Sequence, residues 1–128
     1  MESENTSCEK DDVEKRIAVL FRKMGLPANL KGYNYIKNAI CLAYEKNEYL
    51  YATNKMLYPA VAEMYKTTST RVERAIRHAI EVSFNRGNVE ILNKMFGYTF
   101  SGDKGKSTNN EFIAGVVEFL KNKEDLNI

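Results

Sequence analysis

The sequence predicts an all-α domain of about six helices, the third and fourth forming a helix-turn-helix. Three observations predict it. Apolar residues recur at helical spacing in several separate stretches. Two prolines, seven glycines and few alternating apolar/polar runs argue against the turn-dense pattern of an all-β fold. The chain has 128 residues, 44% of them apolar, which suits one domain with its own core.

Residues 1–12 read as a disordered acidic tail, with no apolar periodicity to bury. From Val13 a first helix begins, because Val13, Ile17, Leu20, Phe21 and Met24 form one stripe. Gly25 and Pro27 stop it. A second helix runs from about Tyr33 to Tyr49. Its stretch Ala39-Ile40-Cys41-Leu42-Ala43-Tyr44 is apolar on every side, which places it centrally. Cys41 reads as core packing.

A third helix, about Asn54 to Tyr65, carries Leu57, Val61, Ala62 and Tyr65, with Pro59 near its start. The run from Lys66 to Thr70 breaks it. A fourth helix extends from about Ser69 to Asn85, ended by Gly87-Asn88 as a left-handed cap. A short fifth helix, about Val89 to Phe96, is followed by a polar loop over 101–107. The sixth, about Asn109 to Asn122, opens on the capping box Thr108-x-x-Glu111 and carries the stripe Phe112, Val116, Phe119 and Leu120. Residues 123–128 are expected to fray.

Composition excludes several classes. No apolar run approaches the roughly 18 residues of a membrane span, so no membrane partner is expected. The polar first dozen residues do not form a signal peptide. Two cysteines, Cys8 and Cys41, cannot make a disulfide framework and point to a reducing, cytoplasmic compartment. One histidine and two distant cysteines argue against a structural zinc site, and neither metal nor cofactor is expected.

An enzyme is not expected either. His78 has no nucleophile suggested beside it. Gly105-Lys106-Ser107 echoes the end of a phosphate-binding loop, but Phe100 stands where that motif needs glycine.

Charge is distributed unevenly. Residues 1–12 hold five acids and one base, so the total of +2 leaves +6 on residues 13–128. A basic domain with an acidic tail suits a nucleic-acid partner without establishing one.

The fourth helix is two-faced. At about 100° per residue, Val72, Ala75, Ala79, Val82 and Ser83 share one side, and Arg71, Glu73, Arg74, Arg77, His78 and Glu81 the other. Taken alone, that outer face suits a solvated side of a bundle helix. Two features point further. Arginines outnumber lysines there, and a planar guanidinium suits guanine O6/N7 or phosphate. The spacing around the preceding turn is that of a helix-turn-helix: small Ala62 at a helix crossing, the turn four residues on, and Val72 six beyond. Lys66 occupies the turn position often held by glycine. Either Thr68 or Thr70 caps the fourth helix. Thr70 with Glu73 forms a capping box that occupies the Glu73 carboxylate, whereas Thr68 leaves it free to accept from cytosine N4.

The segment Arg71-Val72-Glu73-Arg74-Ala75-Ile76-Arg77-His78-Ala79-Ile80-Glu81-Val82, followed by Asn85-Arg86-Gly87-Asn88, resembles the recognition helix of the stage-zero sporulation protein A effector-domain family. Further resemblances, in the same order, are Gly25-Leu26-Pro27-Ala28 with Leu30-Lys31-Gly32-Tyr33, Lys55-Met56-Leu57-Tyr58-Pro59, Phe96-Gly97-Tyr98-Thr99, and Thr108-Asn109-x-Glu111-Phe112-Ile113-Ala114. Together they cover roughly 13–122 as one effector-type domain. Residues 45–51 match the family poorly.

The resemblance implies a six-helix domain of endospore-forming bacteria that binds double-stranded DNA and activates or represses promoters at a TGTCGA-like box. It implies that Arg71, Glu73 and Arg74 face bases in the major groove. Thr68, Ser69, Thr70, Arg77 and His78 then lie near the DNA backbone. Lys104 and Lys106 match basic loop positions, and Lys66 is a backbone candidate from position alone. RNA polymerase and a second copy on tandem boxes are the further partners implied. Family proteins carry a receiver domain before the effector; the dozen residues before Val13 are too few for one. The chain is then either a stand-alone effector domain or an excised one.

The competing reading is a protein-interaction module that binds a regulator or polymerase subunit without autonomous DNA binding. Val89, Leu92 and Phe96 offer it a surface, although the same residues suit core packing better. The arginine face favours DNA.

Overall fold

A computed structural model of the chain describes residues 2–86, Glu90 and residues 108–122, and every regular element among them is helical. In chain order these are α1 (Glu2–Met24), α2 (Lys31–Glu45), α3 (Glu48–Tyr51), a π-helical turn (Thr53–Leu57), α4 (Tyr58–Met64), α5 (Ser69–Arg86) and α6 (Asn109–Lys121). The expected cap at Gly87-Asn88, fifth helix, polar loop 101–107 and frayed end 123–128 lie outside the described residues.

The predicted stripe of α1, from Val13 to Met24, is buried at all five positions. Each such side chain contributes roughly 1.5–3 kcal/mol of transfer free energy. Gly25, at φ 78°, ends the helix: its N–H donates to the Arg22 carbonyl and the Leu26 N–H to the Phe21 carbonyl. Helix α1 continues back to Glu2, through residues 2–12. Neither glycine nor proline interrupts Glu2–Met24. Once the apolar stripe has nucleated the helix, adding further residues costs little.

Helix α2 is the packing centre, touching α1, α3, α4, α5 and α6. Ile36, Ala39, Ile40, Cys41 and Ala43 are buried, while Leu42 and Tyr44 of the all-round apolar stretch are only half-buried. It stops at Glu45, earlier than expected. The next residues, Lys46-Asn47-Glu48, offer nothing apolar to continue a buried face. Lys46 turns extended, and α3 restarts the helix after Asn47.

The expected third helix is divided between the π-helical turn and α4. Pro59 lies in the first turn of α4 and has no N–H to donate, so the preceding backbone is free to widen into i→i+5 bonding. Leu57, Val61 and Ala62 are buried. Tyr65 is not core. Its ring meets Tyr35 edge-on at 5.1 Å, and its hydroxyl accepts from Asn38 Nδ2 at 2.6 Å.

Helix α6 begins with the predicted capping box. Thr108 Oγ1 accepts from the Glu111 N–H at 3.2 Å, and Glu111 Oε1 accepts from the Thr108 N–H at 3.0 Å. Phe112, Val116, Phe119 and Leu120 are buried, joined by Ile113 and Val117. The last turn is tied back to α1, where the Arg16 guanidinium donates to the Leu120 carbonyl. No helix among the described residues is long and apolar enough to cross a membrane.

Candidate nucleic-acid interface

The turn between α4 and α5 is built by its backbone. The Thr67 N–H donates to the Ala62 carbonyl at 2.9 Å and the Lys66 N–H to the Glu63 carbonyl at 3.3 Å. This paired closure requires a left-handed residue at Lys66, which has φ 54°. The expected glycine position therefore has glycine geometry, held by an exposed lysine.

Thr68 caps α5. Its Oγ1 accepts from the Arg71 N–H at 3.2 Å, and its carbonyl accepts from the Val72 N–H at 3.0 Å. That settles the alternative left open by the sequence. Thr70 is exposed, and the Glu73 carboxylate is not held in a capping box.

The core face of α5 is rotated from the expected one. Val72, Ala79 and Ser83 are buried as predicted, but so are Ile76 and Ile80, while Ala75 and Val82 are only half-buried. The reason is where the neighbours lie. Helices α2, α4 and α6 all touch α5, and their combined arc reaches the isoleucines. Close approach to α2 is possible because residue 32 is glycine. A Cβ there would stand 2.2 Å from the Ala75 carbonyl oxygen and 2.8 Å from the Ala79 Cβ.

The outward face carries the predicted residues together. Arg71, Arg74, Arg77 and His78 are exposed, Ser69 and Glu73 half-buried, all in the first ten residues of α5. Among the described residues neither Arg71 nor Arg74 has an ion-pair partner. Arg77 does, because its guanidinium donates to Glu73 Oε2 one helical turn earlier. Lys104 and Lys106 lie outside the described residues.

Two contributors have no role assigned from the sequence. Asn109, the first residue of α6, donates through Nδ2 to the Glu73 carbonyl at 3.2 Å and to Tyr58 Oη at 3.1 Å. It joins α4, α5 and α6 at the level of the outward face. Burial raises the Tyr58 pKa by desolvating the phenolate; the Asn109 hydrogen bond opposes this, and the Glu73 charge adds to it. Nothing in a one-dimensional pattern pairs Asn109 with residues 36 and 51 positions away. Gly32 had a fainter signal: a glycine just before the expected second helix, with small Ala75 and Ala79 available on α5.

An exposed arginine face on the second helix of a helix-turn-helix is the geometry of a major-groove reader. The model of the family described as sporulation initiation factor Spo0A C terminal matches residues 17–120. The chain belongs to this family. Its members are DNA-binding effector domains of a sporulation regulator, and the all-α architecture agrees with that assignment. The family match begins inside α1 and takes in the whole of α2 to α5. DNA binding and transcription regulation are thus properties of the family to which the α4–α5 unit belongs.

Proposed function

We propose that the chain is a sequence-specific regulator that reads a TGTCGA-like box in double-stranded DNA through the major groove. Arg71 and Arg74 donate to guanine O6/N7, and Glu73 accepts from cytosine N4. Lys66, Thr68, Ser69, Thr70, Arg77, His78, Lys104 and Lys106 lie along the backbone and fix register. The observation that carries this reading is the pair Arg71 and Arg74, exposed and without ion-pair partners among the described residues, near the N-terminus of a helix whose opposite face is buried. Thr68 capping supports it further, because the Glu73 carboxylate is not consumed by a capping box.

The same reading includes two copies side by side on tandem boxes, contact with RNA polymerase, and action in the bacterial cytoplasm. The test is selection of bound duplexes from a pool with a randomised core. The reading predicts recovery of a TGTCGA-like core. Recovery of no common sequence contradicts it and favours the protein-interaction module.

A further inference from the structure

The Glu73–Arg77 pair carries an inference that deepens, and rests on, the proposed reading of bases by α5. A glutamate entering the major groove approaches a wall of phosphates. Its carboxylate loses water and meets like charge, both unfavourable unless a cation accompanies it. Arg77 provides that cation. Its guanidinium donates to Glu73 Oε2, the Arg77 side chain being 59% exposed and that of Glu73 27%.

The bond engages one carboxylate oxygen and leaves Oε1 to accept elsewhere. The backbone beneath is also fixed, because Asn109 holds the Glu73 carbonyl. The glutamate is therefore anchored at both ends of its residue.

We propose that Arg77 is a positioning residue for base recognition. It neutralises Glu73 and aims Oε1 at the base edge, so that Glu73 and Arg77 discriminate one base pair as a unit. Its remaining N–H donors stay available to a phosphate. The two roles are separable: a phosphate contact weakens every duplex alike, whereas a positioning contact alters preference at one base pair.

The experiment measures binding of the whole chain to the TGTCGA duplex and to duplexes substituted at each core position in turn. The wild type, Glu73→Ala and Arg77→Ala are compared. Glu73→Ala identifies the position at which Glu73 discriminates. Wild-type preference there is expected to be about 5- to 150-fold. Arg77→Ala is expected to lose most of that preference at the same position, while preferences set by Arg71 and Arg74 persist. Arg77→Ala that keeps full preference at that position, and binds every duplex more weakly by one common factor, overturns the proposal and leaves Arg77 a phosphate contact. Glu73→Ala with no position-specific loss also overturns it. A wild type that does not distinguish the duplexes overturns the underlying reading of α5 as well.

Discussion

Gly32 of α2 lies so close to Ala75 of α5 that a Cβ at residue 32 would stand 2.2 Å from the Ala75 carbonyl oxygen. The recognition helix is thereby seated on the central helix backbone to backbone. Backbone cannot swing aside as a side chain can, so even one methyl group must displace α5 or α2. Gly32→Ala is expected to lower stability by about 1–3 kcal/mol in urea unfolding. Unchanged stability would mean that the two helices are not in such close contact.

Lys66 occupies a left-handed conformation at φ 54°, which costs a non-glycine residue roughly 1–2 kcal/mol. Glycine avoids that cost but adds freedom to the unfolded chain. Lys66→Gly is therefore expected to raise stability by about 0.5–1 kcal/mol in thermal or urea unfolding. If Lys66 also meets a phosphate, the same variant binds all duplexes more weakly. The slope of log K against log salt then becomes shallower by about 0.9.

Thr68, not Thr70, holds the first turn of α5. Thr68→Ala is expected to cost about 1 kcal/mol of stability, as loss of an N-cap does. Thr70→Ala is expected to stay within about 0.5 kcal/mol of the parent, as exposed substitutions usually do. Equal losses in the two variants would show that capping is shared.

Tyr58 supplies a pH dependence. Its pKa is raised above 10.0, first by burial of the phenolate. The folded chain therefore holds this proton more tightly than the unfolded chain. The associated stability is intact below pH 10.0 and is lost as the pH rises through the folded-state pKa. Tyr65, also raised by burial, acts in the same direction. Thermal midpoints are expected to fall above that pH, and to fall less steeply for Tyr58→Phe. Parallel falls in parent and variant would exclude Tyr58 as a source.

What the sequence made legible was what is local. The stripe from Val13 to Met24, the Gly25 stop and the Thr108–Glu111 box depend on residues within a few turns, and periodicity or capping chemistry reveals them directly. The outward arginines were legible for the same reason. The Glu73–Arg77 pair was within reach too, since glutamate four residues before arginine is a favourable helical spacing.

Contacts fixed by packing were not legible. The buried arc of α5 includes Ile76 and Ile80 because three helices converge there, which no single-helix projection contains. Asn109 reaches Glu73 only after α6 docks.

The most direct measurement is a fluorescence-anisotropy titration of the chain and of Arg74→Ala. Each is titrated on a duplex carrying two TGTCGA-like boxes and on a scrambled duplex of equal composition, at two salt concentrations. Tight, salt-sensitive, box-dependent binding by the parent is the expected result. Arg74→Ala is expected to lose about 1–3 kcal/mol on the boxes and much less on the scrambled duplex. Equal, weak binding of the parent to both duplexes would contradict autonomous specific recognition. An equal loss on both for Arg74→Ala would reduce Arg74 to a phosphate contact.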